Sequence, residues 1–210
     1  MIKVAVFLAN GFEDVEAIAP IDVMRRAGFE VTTVSVEDEM VKSSHGVFIK
    51  ADITTDKMTD EYDIYFCPGG MPGALNLSQS WPVNEAIVNA YNRGAVISAI
   101  CASPAVVLSP LGILKGHEAT CYPGCESYAP DFEFSLEKGV VVSGNVYTAK
   151  SAGYAIDLGL ELIKAFSEEK STKKFIIKNA KCSLFCFKGV TYGHIDWFDC
   201  RYFNRYLLGY

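Results

Sequence analysis

The chain has only three histidines and two tryptophans among 210 residues, and it has no basic excess. Lys and Arg number 19 against 25 Asp and Glu, a net charge of −6. Without a positive surplus, DNA or RNA is a poor first choice of partner. No basic segment followed by a long apolar core and a small-residue cleavage site opens the chain, which begins Met1-Ile2-Lys3-Val4-Ala5-Val6-Phe7-Leu8. That predicts a cytoplasmic protein whose seven cysteines are reduced thiols. The longest run without a charge, 94–114, is broken by Pro104, Pro110, Gly112 and several serines. A strand, a sharp turn and a short helix are expected there, and no membrane partner. Internal repeats and low-complexity tracts are absent as well.

What remains is ordinary globular material, 50% apolar and 21% charged. At this length about 70% of the unfolded surface can be buried, so a full core needs no metal or disulfide staple. Apolar runs alternate with amphipathic ones. The spacing predicts strands at 2–8, 30–36, 62–67 and 95–100, a short third element at 47–49, and a hairpin of 140–143 with 146–148 around Gly144-Asn145. Helices are predicted over 13–27, with Gly28 as its stop and a kink at Pro20, over 82–94 after Ser80, and over 151–166. Strands alternating with helices imply an α/β fold, a doubly wound and mostly parallel sheet sandwiched by helices. The end of the chain differs. Residues 167–210 carry eight basic and four acidic side chains, and nine of the last 29 residues are aromatic. Two regions are therefore expected, an α/β domain over 1–170 and an aromatic, Cys-rich extension over 171–210.

One segment carries the chemistry. In Ala95-Val96-Ile97-Ser98-Ala99-Ile100-Cys101-Ala102-Ser103-Pro104-Ala105 a buried strand runs into small residues and a Pro-initiated helix. This is the strand–turn–helix pattern of a nucleophile elbow. It puts Cys101 at the carboxyl edge of the sheet, where doubly wound folds bind ligands. It also puts Cys101 at a helix N-terminus, which predicts a thiol pKa below its ordinary value. The competing reading is a small buried hydrophobe, the usual state of a free cysteine. The Pro68-Gly69-Gly70-Met71-Pro72-Gly73 loop ends another buried strand at the same edge. Its glycines allow backbone N–H groups to approach a reacting oxygen. Glu16, early in the first helix, can reach the same crevice, although its spacing alone reads as a solvated carboxylate.

Three motifs in this order, 13–28 (Glu13-Asp14-Val15-Glu16 through Arg25-Arg26-Ala27-Gly28), Pro68-Gly69-Gly70 and Ala99-Ile100-Cys101-Ala102-Ser103-Pro104, resemble the DJ-one/ThiJ/PfpI superfamily, most closely its DJ-one branch. The resemblance runs from residue 1 to about residue 166. It implies a flavodoxin-like fold, a homodimer and no cofactor. It makes Cys101 an oxidisable nucleophile and Glu16 its hydrogen-bonding partner, with the Gly70 and Ala102 N–H groups as an oxyanion hole. Arg26 and His45 match positions near the dimer-facing rim of the pocket, and Cys121 and Tyr122 fall on a segment beside the elbow. Glu16 next to a thiolate is a like-charge pair, so Glu16 is expected to keep its proton and donate it to sulfur. The same proton would stabilise a sulfinate.

The sequence departs from that pattern in places. Tyr122 stands where some members carry histidine, so Glu16 is left as the base. Lys150-Ser151-Ala152 replaces an Arg-Gly-Pro-like stretch. The pairs Cys121/Cys125 and Cys182/Cys186 sit at i, i+4, but neither is a Cys-x-x-Cys knuckle, and no metal is expected. The activity implied by the resemblance is a glyoxalase or deglycase acting on small aldehydes or glycated adducts. The alternative is a non-enzymatic redox sensor or chaperone read through Cys101. A peptidase or amidotransferase is disfavoured, since Ala102 and not histidine follows the nucleophile. His117-Glu118 is that reading's thin candidate for a catalytic pair.

Overall fold

The structure is a computed structural model that describes residues 1–59 and 61–166. The extension expected at 171–210, with Cys182, Cys186, Cys200 and His194, lies outside the described residues.

The first strand, β1 (Lys3–Leu8), is buried along nearly its whole length, as a continuous apolar run requires. Helix α1 (Asp14–Arg26) follows, capped by the Glu13 carboxylate, which accepts from the Glu16 N–H at 2.8 Å. Asp14 and Glu16 occupy its first turn and Arg25 and Arg26 its last, in keeping with the helix dipole. It ends at Gly28, whose φ of +86° a side chain rarely adopts. A single helix runs through Pro20, where a kink was expected, with Pro20 buried.

Next come β2 (Glu30–Ser35), β3 (Met40–Lys42), β4 (Phe48–Lys50), β5 (Ile53–Thr54) and β6 (Ile64–Cys67). Helices α2 (Gly73–Gln79) and α3 (Trp81–Asn92) precede β7 (Val96–Ile100). The hairpin β8 (Val140–Ser143) and β9 (Val146–Ala149) leads to α4 (Ala155–Phe166). Seven strands form one sheet in the order β5-β2-β1-β6-β7-β9-β8. All its pairings are parallel except β8 with β9. The third predicted element, at 47–49, is not part of that sheet. As β4 it pairs antiparallel with β3 in a separate two-stranded ribbon.

Alternation along the strands divides the core. Ala5, Phe7, Tyr65, Cys67, Ile97 and Ala99 share a cluster with Leu77 of α2 and with Val83, Ile87 and Ala90 of α3. The intervening residues, such as Val4, Val6, Phe66 and Ile100, are buried on the opposite face. There α1 and α4 pack together, and Gly159 lets α4 approach Pro20. The result is the expected α/β sandwich. The order in which strands are added reverses between β1 and β6, which are adjacent and parallel although β2 to β5 lie between them in sequence. The loops leaving β1, β6, β7 and β9 therefore gather at one edge.

Candidate active site

Cys101 directly follows β7. Its φ is +64°, the one positive value at a non-glycine residue among those described. Such a conformation costs on the order of 1–3 kcal/mol and persists only where its surroundings enforce it. Here the Cys101 N–H donates to the Ala149 carbonyl at 2.9 Å, and its own carbonyl accepts from the Tyr122 N–H at 2.8 Å. Buried Ser103 donates its hydroxyl to the Pro68 carbonyl at 2.5 Å, tying the elbow to the glycine loop. The side chain that results is partly open to solvent.

The helix predicted after the elbow differs from expectation. Pro104–Leu108 forms one wide π-helical turn, with Ser109 N–H donating to the Pro104 carbonyl at 3.0 Å. A pyrrolidine with no N–H and a tightly packed set of small residues favour that local widening.

Glu16 is only 2% exposed. Its carboxyl faces the Cys101 side chain and the backbone N–H groups of Gly69 and Ala152. Its Oε2 has no hydrogen-bond partner. Burial is the main reason its pKa rises from 4.5 to about 7; Cys101 pulls it back down and the Glu13 charge pushes it further up. Gly69 makes the approach possible. A Cβ there would lie 2.4 Å from Glu16 Oε2 and 2.5 Å from Cys101 Cβ. Gly70 has a φ of +93°, and a Cβ on it would collide with the backbone of Gly11 to Glu13.

The expectation of a depressed thiol pKa is corrected. Burial, and then the Glu16 charge and hydrogen bond, push the Cys101 thiol above its ordinary value. The N–H groups of Gly70 and Ala102 pull it down, but they are outweighed. The reason is physical: the sulfur is partly desolvated, its nearest ionisable neighbour is an acid, and the helix behind it is one short turn. Glu16 ionises first and its charge then raises the Cys101 pKa, so the pair resists carrying two negative charges.

The structure thus brings Cys101, Glu16, Gly70 and Ala102 together. It does not bring in the rest of the expected set. Arg26 lies ten residues beyond Glu16 on α1, about 15 Å along the helix axis, exposed and bonded to Asp22 at 2.8 Å. His45 is exposed and 3.0 Å from Asp14. Cys121 is fully buried against Ala105 and Ala129 and so does not line the pocket. Tyr122 is half exposed, on the loop that holds the Cys101 carbonyl. The residue that the sequence reading passed over is Cys125, partly exposed and packed on Ala74, Ala102 and Val106. The Tyr122-Pro123-Gly124-Cys125 turn signals it, closed by the Cys125 N–H on the Tyr122 carbonyl at 2.9 Å. Ala152, on the departing 150–152 stretch, takes part through its backbone alone.

Among the described residues, Glu13, Asp14 and His45 offer ligand atoms within 4.8 Å of one another. Their carboxylates are already engaged, Glu13 as the helix cap and Asp14 with Ser43. His117, the candidate for an amidotransferase-like pair, sits elsewhere. Its Nδ1–H donates to the Ser143 carbonyl at 2.8 Å and its Nε2 accepts from the Tyr91 hydroxyl at 2.9 Å. Ser143 is at the β8–β9 turn, by the starting end of β7, and Tyr91 is on α3, which leads into that end, whereas Cys101 follows its finishing end.

Residues 2–165 match the model of the DJ-1/PfpI family. The chain belongs to that family. It is 35% identical to the Parkinson disease protein 7 homolog of Danio rerio, over 77% of this chain and 88% of that protein. It is 32% identical to Protein DJ-1 homolog B of Arabidopsis thaliana, over 77% of this chain but 37% of the relative. The chain thus spans less than half the length of that plant protein. Among solved structures, oxidized Toxoplasma gondii DJ-1 superposes with a TM-score of 0.80 at 38% identity, covering 85% of this chain and 97% of the other. The flavodoxin-like α/β sheet of the DJ-1/PfpI family is therefore the fold of this chain. No helix among its described residues is long and apolar enough to cross a membrane.

Proposed function

We propose that the chain is a cofactor-independent cysteine enzyme acting on small reactive aldehydes, of the glyoxalase or deglycase type, and that it works as a cytoplasmic homodimer. The observation that carries this reading is the buried Glu16 carboxyl, raised to about 7 and set against Cys101 with one oxygen unpartnered. A base with that pKa is matched to proton transfer near neutrality. With methylglyoxal, ionised Glu16 takes the thiol proton while sulfur adds to the aldehyde carbon. The alkoxide formed faces the Gly70 and Ala102 N–H groups and receives the proton from Glu16, giving a hemithioacetal. Glu16 then takes the proton from that carbon and gives it to the neighbouring ketone oxygen, forming an enediol; it next takes the proton of the first hydroxyl and gives one to the neighbouring carbon, leaving a thioester. Water cleaves the thioester to lactate, and the sulfur regains its proton. Early glycation adducts would enter the same steps once the C–N bond breaks and the amine leaves with a proton, freeing the aldehyde carbon for sulfur.

The alternative, a sensor or chaperone read by Cys101 oxidation, draws support from the same acid, because a protonated Glu16 can hold a sulfinate oxygen. The Toxoplasma relative was itself solved oxidized. Lactate formation by reduced, metal-stripped protein decides between the two. Wild type is expected to form lactate and Cys101→Ser to form none. Equal background in both, with one sulfinate per chain after mild peroxide, overturns the enzyme in favour of the sensor. A peptidase has no support in the site, because Ala102 occupies the position after the nucleophile and His117 is at the far end of β7.

A further inference from the structure

Three thiols gather behind and beside the elbow. Cys67, the remaining described cysteine, is sealed in the core. Two consecutive hydrogen bonds tie the Cys125 loop to the nucleophile: Tyr122 N–H to the Cys101 carbonyl at 2.8 Å, then Cys125 N–H to the Tyr122 carbonyl at 2.9 Å. Cys125 packs against the cluster of Ala74, Ala102 and Val106, in which Ala102 is the residue next to the nucleophile, and also against the cluster that holds Cys121. It is partly open to solvent, as Cys101 is, while Cys121 is closed off. The nearly fully buried Glu16 carboxyl completes the picture, facing the Cys101 side chain with its Oε2 unpartnered.

We propose that Cys125 is the resolving thiol of Cys101, so that oxidation of the nucleophile by a hydroperoxide ends in a reversible Cys101–Cys125 disulfide. The proposal rests on Cys101 being the reactive thiol of the site. In the first step the Cys101 sulfur attacks one oxygen of a hydroperoxide and the O–O bond breaks. Sulfur is oxidised to the sulfenic acid, the peroxide is reduced, and the thiol proton passes through Glu16 to the departing oxygen, giving water or an alcohol. In the second step the Cys125 sulfur attacks the sulfenic sulfur. The S–O bond breaks and the hydroxyl leaves as water with the Cys125 proton. A dithiol reductant then returns both thiols and is itself oxidised to its disulfide. Cys125 is in electrostatic reach of Glu16, which supports a thiol facing the same crevice. Resolution competes with the second peroxide attack that makes a sulfinate, so Cys125 keeps the nucleophile on the recoverable side of oxidation.

The test treats the full reduced chain with two equivalents of hydrogen peroxide, enough to carry one thiol to the sulfinate, alkylates free thiols, and maps the peptides by mass. Wild type is expected to yield a cross-link of the Cys101 and Cys125 peptides, about 2 Da lighter than the two thiols and reversed by a dithiol. Cys125→Ser is expected to lose the cross-link and accumulate Cys101 sulfinate, about 32 Da heavier. Cys121→Ser is expected to keep the cross-link. Sulfinate at Cys101 with Cys125 still alkylated in wild type overturns the proposal, and so does a cross-link confined to Cys121 and Cys125 or to the extension. Lactate formation by the reduced wild type, measured alongside, reads the aldehyde activity separately. Lactate without the cross-link sinks only the resolving thiol, whereas a Cys101 inert to both peroxide and aldehyde sinks both.

Discussion

Glu16 and Cys101 compete for one negative charge, and each residue's behaviour follows from the other's. Glu16 has a folded pKa raised from 4.5 to about 7, so the native state holds a proton that the unfolded chain has released. Between those two values stability must fall as pH rises, and it is level again above about 7. The shift corresponds to about 3 kcal/mol. Glu16→Gln removes the ionisable group and keeps the shape. Urea melts of the two proteins are expected to coincide near pH 4 and to diverge through pH 7, with the variant the more stable at pH 8. A difference independent of pH would contradict the assignment of the shift. The same substitution should lower the apparent pKa for alkylation of Cys101, since it removes the like charge, yet depress aldehyde turnover by about 10²-fold or more, because an amide moves no proton. Reactive sulfur without turnover would separate the nucleophile from its base. Retained turnover would remove Glu16 from the proton path.

At the scale of elements, the elbow is the feature that stores strain. A left-handed conformation at Cys101 costs a side chain about 1–2 kcal/mol that glycine does not incur. Cys101→Gly is therefore expected to be more stable in urea than Cys101→Ala by about 1 kcal/mol, the reverse of the usual order within strands and helices. The opposite ranking would show that the turn relaxes once sulfur is gone. This strain was legible in the sequence, because a buried apolar strand running into Cys101-Ala102-Ser103-Pro104 leaves little room for any other turn. The long strands and α1, α3 and α4 were legible for a related reason: their apolar periodicity spans enough residues to be distinctive. Three short elements were not. β3 and β5 have three and two residues, and α2 begins with glycine and presents no charged residue in its first turn. Nor could periodicity reveal the wide turn at Pro104–Leu108, which depends on which carbonyl each N–H reaches. In the site, Cys101, Glu16 and the glycine loop were visible as motifs. Cys125 was not, since only the fold brings the Tyr122–Cys125 turn beside Ala102.

The molecule as a whole has two chemically different edges. Because β1, β6, β7 and β9 run parallel, their finishing ends deliver Glu16, the 68–70 loop, Cys101 and Ala152 to one rim. Their starting ends carry His117, held between Tyr91 and the β8–β9 turn. Strand β7 separates the two with five residues, about 16 Å at the usual rise. A histidine in a catalytic pair with Cys101 would have to cross that distance, so its work is structural. His117→Ala deletes the part-buried hydrogen bonds of its ring to the Tyr91 hydroxyl and to the carbonyl and hydroxyl of Ser143, a loss of about 1–3 kcal/mol. Urea melts are expected to show that loss, while the iodoacetamide rate of Cys101 in the folded protein stays within about twofold of wild type, because contacts this far apart couple weakly. Glu16→Gln should do the reverse, changing thiol chemistry strongly near neutrality. If His117→Ala slowed Cys101 alkylation tenfold with the fold intact, the two edges would be one functional unit, and the division of labour imposed by a parallel sheet would not hold for this protein.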